Sequence, residues 1–512
     1  MKFVMKLILR AMAFAAVLAI QPGTPALAQF CNLPVDGDPA AWASLNLAGI
    51  ALREGNLYLT DGARIRKVSP NGIVTTVAGL VDPVTHQAVP GYSGDGGPAL
   101  SAQFRSVTSL EFDTAGNLYL ADEGNNCVRK ITARVVGGVS QPLNGTETVK
   151  DLAGICTIVG NLNGVATSAL FNAPHGLAFD SATGALYITD VNNNNVRKVD
   201  PAGSVTTIAG TGTAGFAVDG EPAVNAQLNL PTGVTLDPGT GDLYIAEVLN
   251  NRVRKVSGGI ITTVAGTGTS SSTGGLNEGG AAVAANVTPV RVRFAGGKLY
   301  ILDTGVGMVR QVSGGIITTL AGSGLPTYSG PFPPVGDGGP ALSALLGSGP
   351  HGSQDIVLDA SGGIFIADAS TRRVRFAANI AETVFGQSVA AGIITTVAGP
   401  GIVSCPNVSS QISITQNGFA RNRATGYWVT TLTVKNIGTS AITGPVQLLF
   451  SNLSSNATLV DGTGSFAGLG PFTTVSGGSL SPGASASTVV QFANPSNQFI
   501  TYAPVIYSFA LP

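Results

Sequence analysis

Apolar and polar positions alternate with a period of two along most of the chain, in runs of five or six residues broken by Gly, Asn and Ser. That pattern predicts short β-strands joined by tight turns. The runs are also copies of one another. Leu57-Tyr58-Leu59-Thr60-Asp61 returns as Leu118–Asp122, Leu186–Asp190, Leu243–Glu247, Leu299–Asp303 and Ile364–Asp368. Each copy is followed by an Arg-bearing strand such as Val196–Val199 or Val253–Val256. A closing block then reads Thr75–Gly79, Cys156–Gly160, Thr206–Gly210, Thr262–Gly266, Thr318–Gly322 and Thr395–Gly399. A fourth apolar segment precedes each copy, clearest at Gly176–Asp180 and Gly233–Asp237.

Four short strands in a unit of roughly 56 to 80 residues, six times over, is the period of a propeller blade rather than of a solenoid turn. The pattern resembles the NHL-repeat family of β-propellers, whose signature is a P-x-G-apolar strand, a G-x-apolar-Tyr-apolar-x-Asp strand and an N-x-x-apolar-Arg strand. The likeness covers roughly residues 40–400. It implies a six-bladed β-propeller that presents the loops of one disc face to a protein, peptide or carbohydrate. Related propellers hold zinc with three axial histidines or hold calcium, so the alternative is a metal-dependent lyase or lactonase with its site at the channel mouth.

The repeat stops after Gly399, and from Cys405 a Ser/Thr/Asn-rich alternation predicts an immunoglobulin-like β-sandwich. At the other end Lys2, Lys6 and Arg10, the apolar Ala11–Ile20 and the small-residue site Ala26-Leu27-Ala28 read as a signal peptide. The expected organisation is all-β: signal peptide 1–28, propeller 29–404 and sandwich 405–512, in a secreted or periplasmic protein. Charge sharpens this. With 27 Lys+Arg against 28 Asp+Glu and a net charge of -1, no basic face is available to hold nucleic acid. No membrane span is expected after signal cleavage. The expected partner is an extracellular or envelope protein, peptide or glycan.

The acids closing each second strand are expected to hydrogen-bond their own turns. Arg66, Arg129, Arg197, Arg254, Arg310 and Arg375 are expected to form partly exposed ion pairs with those acids, worth about 0–1 kcal/mol each. Between units, Gly94–Ala99, Val218–Ala223 and Gly336–Ala341 place an Asp before Pro and Ala, which predicts a capped short helix with Pro in its first turn. Asp95, Asp219 and Asp337 are candidate ligand-binding residues there.

His86, His175 and His351 are the only histidines. His175 is placed at the channel mouth as a further candidate. In register, however, Gln354 rather than His351 matches it, with Thr108 and Thr232 in other units, a poor zinc set. Neither a metal nor a cofactor is expected. Arg291 and Arg293, on one inner strand, either pair with a neighbouring blade's carboxylate or line the channel and attract an anion. No nucleophile elbow, H-E-x-x-H or phosphate loop occurs, so no catalytic residue is named. Four cysteines in an exported chain predict Cys127–Cys156, across adjacent strands, and Cys31–Cys405, bracketing the repeats.

Overall fold

The computed structural model describes residues 45–512 apart from 84–86, 138, 326–335, 350–351, 400–411, 417–418, 440, 443–445, 452–456, 461–463, 467–469, 477–479, 495–499, 501–502 and 509–512. The expected signal peptide, His86, His351, Cys31 and Cys405 lie outside the described residues. Within them the fold is all-β, with helix only as three-residue 3-10 turns. No described helix is long and apolar enough to cross a membrane.

Six antiparallel sheets follow one another along the chain, each built on four strands in sequence order, with a fifth strand in the third. The first comprises Ile50–Arg53, Asn56–Asp61, Arg64–Val68 and Val74–Ala78. The others open on the inner strands Val107–Phe112, Pro174–Phe179, Pro231–Leu236, Pro289–Ala295 and Ser353–Leu358. Inner strands of neighbouring sheets lie side by side: Thr108 Oγ1 donates to the His175 carbonyl at 3.3 Å and Thr232 Oγ1 to the Val290 carbonyl at 2.8 Å. The Ile50 N–H donates to Asp355 Oδ2 at 3.1 Å, tying the first sheet to the sixth.

The period-2 pattern explains the stacking. Successive side chains of a strand point to opposite faces of its sheet, so the Leu and Ile of each second strand meet the sheet behind and the Tyr or Phe meets the sheet ahead. Tyr119 packs with Leu186 and Ile188, Tyr244 with Leu299 and Ile301, and Tyr300 with Ile364 and Ile366. Phe365 then packs with Leu57 and Leu59, which closes the cycle. Both faces of every sheet are therefore covered.

The interunit segments are straps rather than capped helices. The 3-10 turn Ala99–Ser101 has Pro98 at its N-cap and no capping side chain. Its Ala99 carbonyl accepts from Gly79, at the end of the preceding outer strand, while Gly96 and Ala99 donate to Val149 and Glu147 of the following sheet. The same exchange recurs around Ala223, Ala282 and Ala341. In the third sheet it adds Gly164–Val165 as a fifth strand.

One predicted strand is corrected. The second unit closes on Val149–Ala153, whose Val149 pairs Ile131 and Lys150 pairs Lys130, and not on Cys156–Gly160. Cys156 and Thr157 form a turn beyond it, Thr157 with φ +72°. The registering sequence is Val149-Lys150-Asp151-Leu152-Ala153-Gly154, displaced by an insertion that holds the hairpin Val135–Val136/Val139–Ser140. The Gly ending each closing block is required: all six have φ between +95° and +103°, and a Cβ on Gly210 would lie 2.4 Å from the Asn194 carbonyl oxygen.

The Cys127–Cys156 disulfide is present, with a Cα separation of 5.0 Å. After the sixth sheet, two further antiparallel sheets, one led by Trp428–Asn436 and Ser485–Ala493 and the other by Val446–Ser451 and Gly470–Ser476, share a core that includes Leu432, Val434, Leu448, Val475 and Phe492.

Candidate functional site

Strand register puts Gly49, Ser109, Gly176, Gly233, Arg291 and Asp355 at one level of the six sheets, each just before the residue paired to Leu59, Leu120, Ile188, Ile245, Ile301 or Ile366 of its second strand. Four are small, and the two large ones fill the axis between them. The Arg291 guanidinium is 1% exposed. Its Nη2 donates to the Thr108 carbonyl at 2.8 Å and Nη1 to the Thr232 carbonyl at 3.2 Å, and its Nε lies 3.3 Å from Asp355 Oδ1. Arg293 Nη2 reaches the same carboxylate at 3.1 Å and its Nε donates to the Ile356 carbonyl. A Cβ on Gly176 would lie 2.5 Å from the Thr232 carbonyl oxygen and 3.1 Å from Arg291 Nη1, and one on Gly233 would meet the Arg291 backbone at 2.9 Å. The glycine of the P-x-G pattern thus makes room for a buried ion pair that closes the axis.

His175 sits on the N-terminal side of this layer. Its Nδ1 is 3.1 Å from the Thr232 carbonyl, a geometry that assigns the proton to Nδ1. Burial, then the nearby Arg291 charge, pull the imidazole down to about 3, against the pull of the Thr232 carbonyl. It is therefore neutral at neutral pH. An unfolded chain takes up this proton near about 6.5. Between about 6.5 and 3 the unfolded state binds more protons, so stability falls as pH drops, by up to about 1.4 kcal/mol per pH unit. His175→Gln, which cannot ionise, is expected to gain on the wild type as the pH is lowered from about 7 to about 4, read from denaturant midpoints. A difference that stays constant over that range would contradict a buried neutral imidazole. Gln354 occupies the equivalent position in the sixth sheet, Ser353 pairing Asp368 as Pro174 pairs Asp190.

The six third-strand arginines differ from expectation. All are fully buried, not partly exposed. Only some reach the acid of the preceding strand: Arg197 Nη1 lies 3.0 Å from Asp190, Arg254 Nη1 3.4 Å from Glu247 and Arg66 Nη1 3.7 Å from Asp61. The others turn outward to the strap of their own unit. Arg375 Nη2 lies 2.6 Å from Asp337, Arg310 Nη2 3.3 Å from Glu278 and Arg129 Nη2 3.8 Å from Asp95, while Arg254 also reaches Asp219 at 3.1 Å. In the third unit Asn163 takes the place of the acid, accepting from Arg197 Nη2 at 2.6 Å. Aromatic rings flank the guanidiniums, Phe171 over Arg197 and Phe216 over Arg254.

Asp95, Asp219 and Asp337 also bind the outer strand of the following sheet. Asp95 accepts from the Asp151 N–H, Asp219 from the Thr263 N–H and Asp337 from Thr396 Oγ1. The second-strand acids hold the segment entering their own inner strand, not merely the turn: Asp190 accepts from the Asn172 N–H, Glu247 from Asn229 and Asp303 from Thr288. Burial raises these carboxyls, that of Asp190 to about 6. The one Cys/Asp cluster of metal-binding proportions among the described residues, Cys127, Asp151 and Cys156, has both sulfurs in the disulfide.

Three of the loops that leave an outer strand fold over the Asn-bearing turn between the second and third strands of the next sheet: Asn125 Nδ2 donates to the Gly91 carbonyl, Asn193 to Gly160 and Asn250 to Gly215. These loops lie at the His175 end of the sheets. Tyr92, Ile158, Val159, Leu162 and Phe216 stand exposed on them, with Leu249 on the neighbouring turn.

The NHL repeat family matches residues 171–199. Mouse teneurin-1 is 28% identical over 247 residues, covering 43% of this chain and 8% of its own length. Bovine NHL repeat-containing protein 2 is 27% identical over 144 residues, 27% of this chain and 18% of its own. The chain thus spans a small part of the curated relatives it matches. Among solved structures, an auxiliary nutrient binding protein from Bacteroides thetaiotaomicron is 15% identical with a TM-score of 0.44, covering 65% of this chain and 69% of that one. The matched NHL repeat at residues 171–199 coincides with the inner, second and third strands of the third sheet.

Proposed function

We propose that this chain is an exported, six-bladed NHL-type β-propeller followed by an immunoglobulin-like sandwich, and that it binds an extracellular or envelope protein, peptide or carbohydrate on the His175 end of the propeller. The observation that carries the reading is the set of exposed apolar side chains on the interunit loops, Tyr92, Ile158, Val159, Leu162 and Phe216. Loops on a rigid scaffold are where binding residues concentrate, and apolar groups displayed together favour a macromolecular contact. The Cys127–Cys156 bridge supports an oxidising compartment. In this reading Asp95, Asp219 and Asp337 hold the loops in place through their ion pairs.

The test is a variant carrying Ile158→Ser, Val159→Ser and Leu162→Ser, screened beside the wild type on peptide and glycan arrays. Loss of the wild-type signals is expected with no drop in melting temperature, because all three side chains are exposed. If Val489→Ser on the C-terminal domain, also exposed, abolishes binding instead, the binding surface belongs to that domain.

A further inference from the structure

Two residues beyond the Arg291 level, the inner strands carry Ala51, Glu111, Ala178, Thr235, Arg293 and Val357, and these line a concavity of about 290 Å³ at the end of the axis opposite His175. That volume lies near the lower bound of small-molecule sites. A collar of Leu52, Phe112, Phe179, Leu236 and Phe294 surrounds it. The collar rings are held from behind: Phe112 lies edge-on to Tyr58 at 4.9 Å, and Phe179 and Phe294 stack on Tyr119 and Tyr244 at 5.7 and 5.2 Å. The Arg291–Asp355 pair lies one level below, two residues earlier along the inner strands.

Only two charged side chains stand in this wall. Glu111 comes from the second sheet and Arg293 from the fifth, three units apart in a cycle of six and therefore on opposite sides of the axis. They form no ion pair with each other. Glu111 accepts one hydrogen bond, from the Phe179 N–H. Arg293 spends Nε on the Ile356 carbonyl and Nη2 on Asp355, while Nη1 has no partner among the described residues. With Glu111 ionised, the two guanidiniums and two carboxylates around the concavity cancel. The site therefore offers separated poles without net charge.

We propose that this concavity binds a small zwitterion with an apolar body, of the class of free aromatic or aliphatic α-amino acids, its carboxylate on Arg293 Nη1, its ammonium on Glu111 and its side chain against the phenylalanine collar. A simple anion would leave Glu111 repelling it, and a simple cation would face Arg293. Only a ligand carrying both charges satisfies both walls.

The pH dependence follows from the groups around Glu111. Burial pushes its carboxyl up to about 7, Arg293 and Arg291 oppose the rise, and Asp355 adds to it. The adjacent inner strands present only Ala51 and Ala178 at this level, and Arg53 of the first sheet rests over the Phe112 ring. The ammonium needs the ionised carboxylate, so apparent affinity should improve about tenfold between pH of about 6 and about 8, following the ionised fraction of Glu111.

The experiment is calorimetric titration of the full-length protein with L-phenylalanine at both pH values, with N-acetyl-L-phenylalanine, which lacks the ammonium, as the second probe. The expected result is binding of L-phenylalanine that tightens with pH, and at least about tenfold weaker binding of the acetylated probe. Glu111→Gln keeps an acceptor for the Phe179 N–H and should fold; it is expected to lose both the affinity and its pH dependence. No heat with L-phenylalanine at millimolar concentration, equal affinity for the two probes, or unchanged binding in Glu111→Gln would each overturn the assignment. Because the probe enters opposite the interunit loops, Ile158→Ser, Val159→Ser and Leu162→Ser should leave this titration unchanged, which separates it from the loop-face reading.

Discussion

Asp355→Ala is expected to destabilise the repeat region by about 3–5 kcal/mol, the range for removing one partner of a buried ion pair. Asp355 is fully buried and answers two guanidiniums, Arg291 and Arg293, besides accepting from the Ile50 N–H. Its loss leaves Arg291 charged in the centre of the molecule, and an arginine cannot escape by deprotonation. It also breaks a polar link between the sixth sheet and the first. Guanidinium unfolding followed by tryptophan-independent far-UV circular dichroism measures the effect. The double variant Asp355→Leu, Arg291→Leu should be closer to wild type than Asp355→Ala, since neither charge is then stranded. A cost below about 1 kcal/mol for Asp355→Ala, in the range of exposed pairs, would mean that water reaches the axis.

The second large effect concerns the disulfide. Replacing Cys127 and Cys156 together by Ser should cost roughly 3–4 kcal/mol, the loop-closure entropy of a loop of about 30 residues. The two residues are 29 apart in sequence, and the segment between them contains the Val135–Ser140 hairpin, which crosses no other sheet. Part of the insertion is also held to its surroundings, the Leu143 N–H donating to the Tyr58 hydroxyl and the Ala99 N–H to the Glu147 carbonyl, so the loss is expected at the lower end of that range. Reductant should lower the melting temperature of the wild type and leave the double variant unmoved. Equal melting temperatures with and without reductant in the wild type would show that the bridge adds no stability.

The strands were legible where the period-2 pattern and the Leu-Tyr-apolar block coincide, because one repeated sequence must satisfy one repeated packing environment. The Cys127–Cys156 pairing was found although its premise was not, since Cys156 lies in the turn beyond the closing strand and still comes within 5.0 Å of Cys127. The closing strand of the second unit was not, since Cys156–Gly160 imitates the Thr-Thr-apolar-Ala-Gly block while the true strand, Val149–Ala153, carries Lys150 and Asp151 in place of the threonines. Two straps were missed as well. Asn163 and Glu278 stand where the others have Asp, and Val165 and Ala281 stand where the others have Pro, so the chemistry survives while the spelling changes. The depth of the arginines was hidden because a charged residue reads as exposed until its partners, ion pair and flanking rings are seen together. The opposed Glu111 and Arg293 could not be found from spacing at all. They are 182 positions apart in the sequence, and only closure of the ring brings them to one level.

The straps have one further consequence. An outermost β-strand normally leaves a row of unpaired N–H and C=O groups, a template on which another chain can add a strand. In the second, fourth, fifth and sixth sheets outward groups are already used: Val149, Ile261, Ile317 and Ile394 donate to the carbonyls of Gly97, Glu221, Gly280 and Gly339 and accept from the N–H groups of Gly96, Gly220, Gly279 and Gly338, and Gly164–Val165 pairs the outer strand of the third. Along these five sheets the circumference is closed to strand addition. It resists the edge-to-edge association to which exposed β-strands are otherwise prone, and a partner must approach along the axis, onto one end of the sheets or the other.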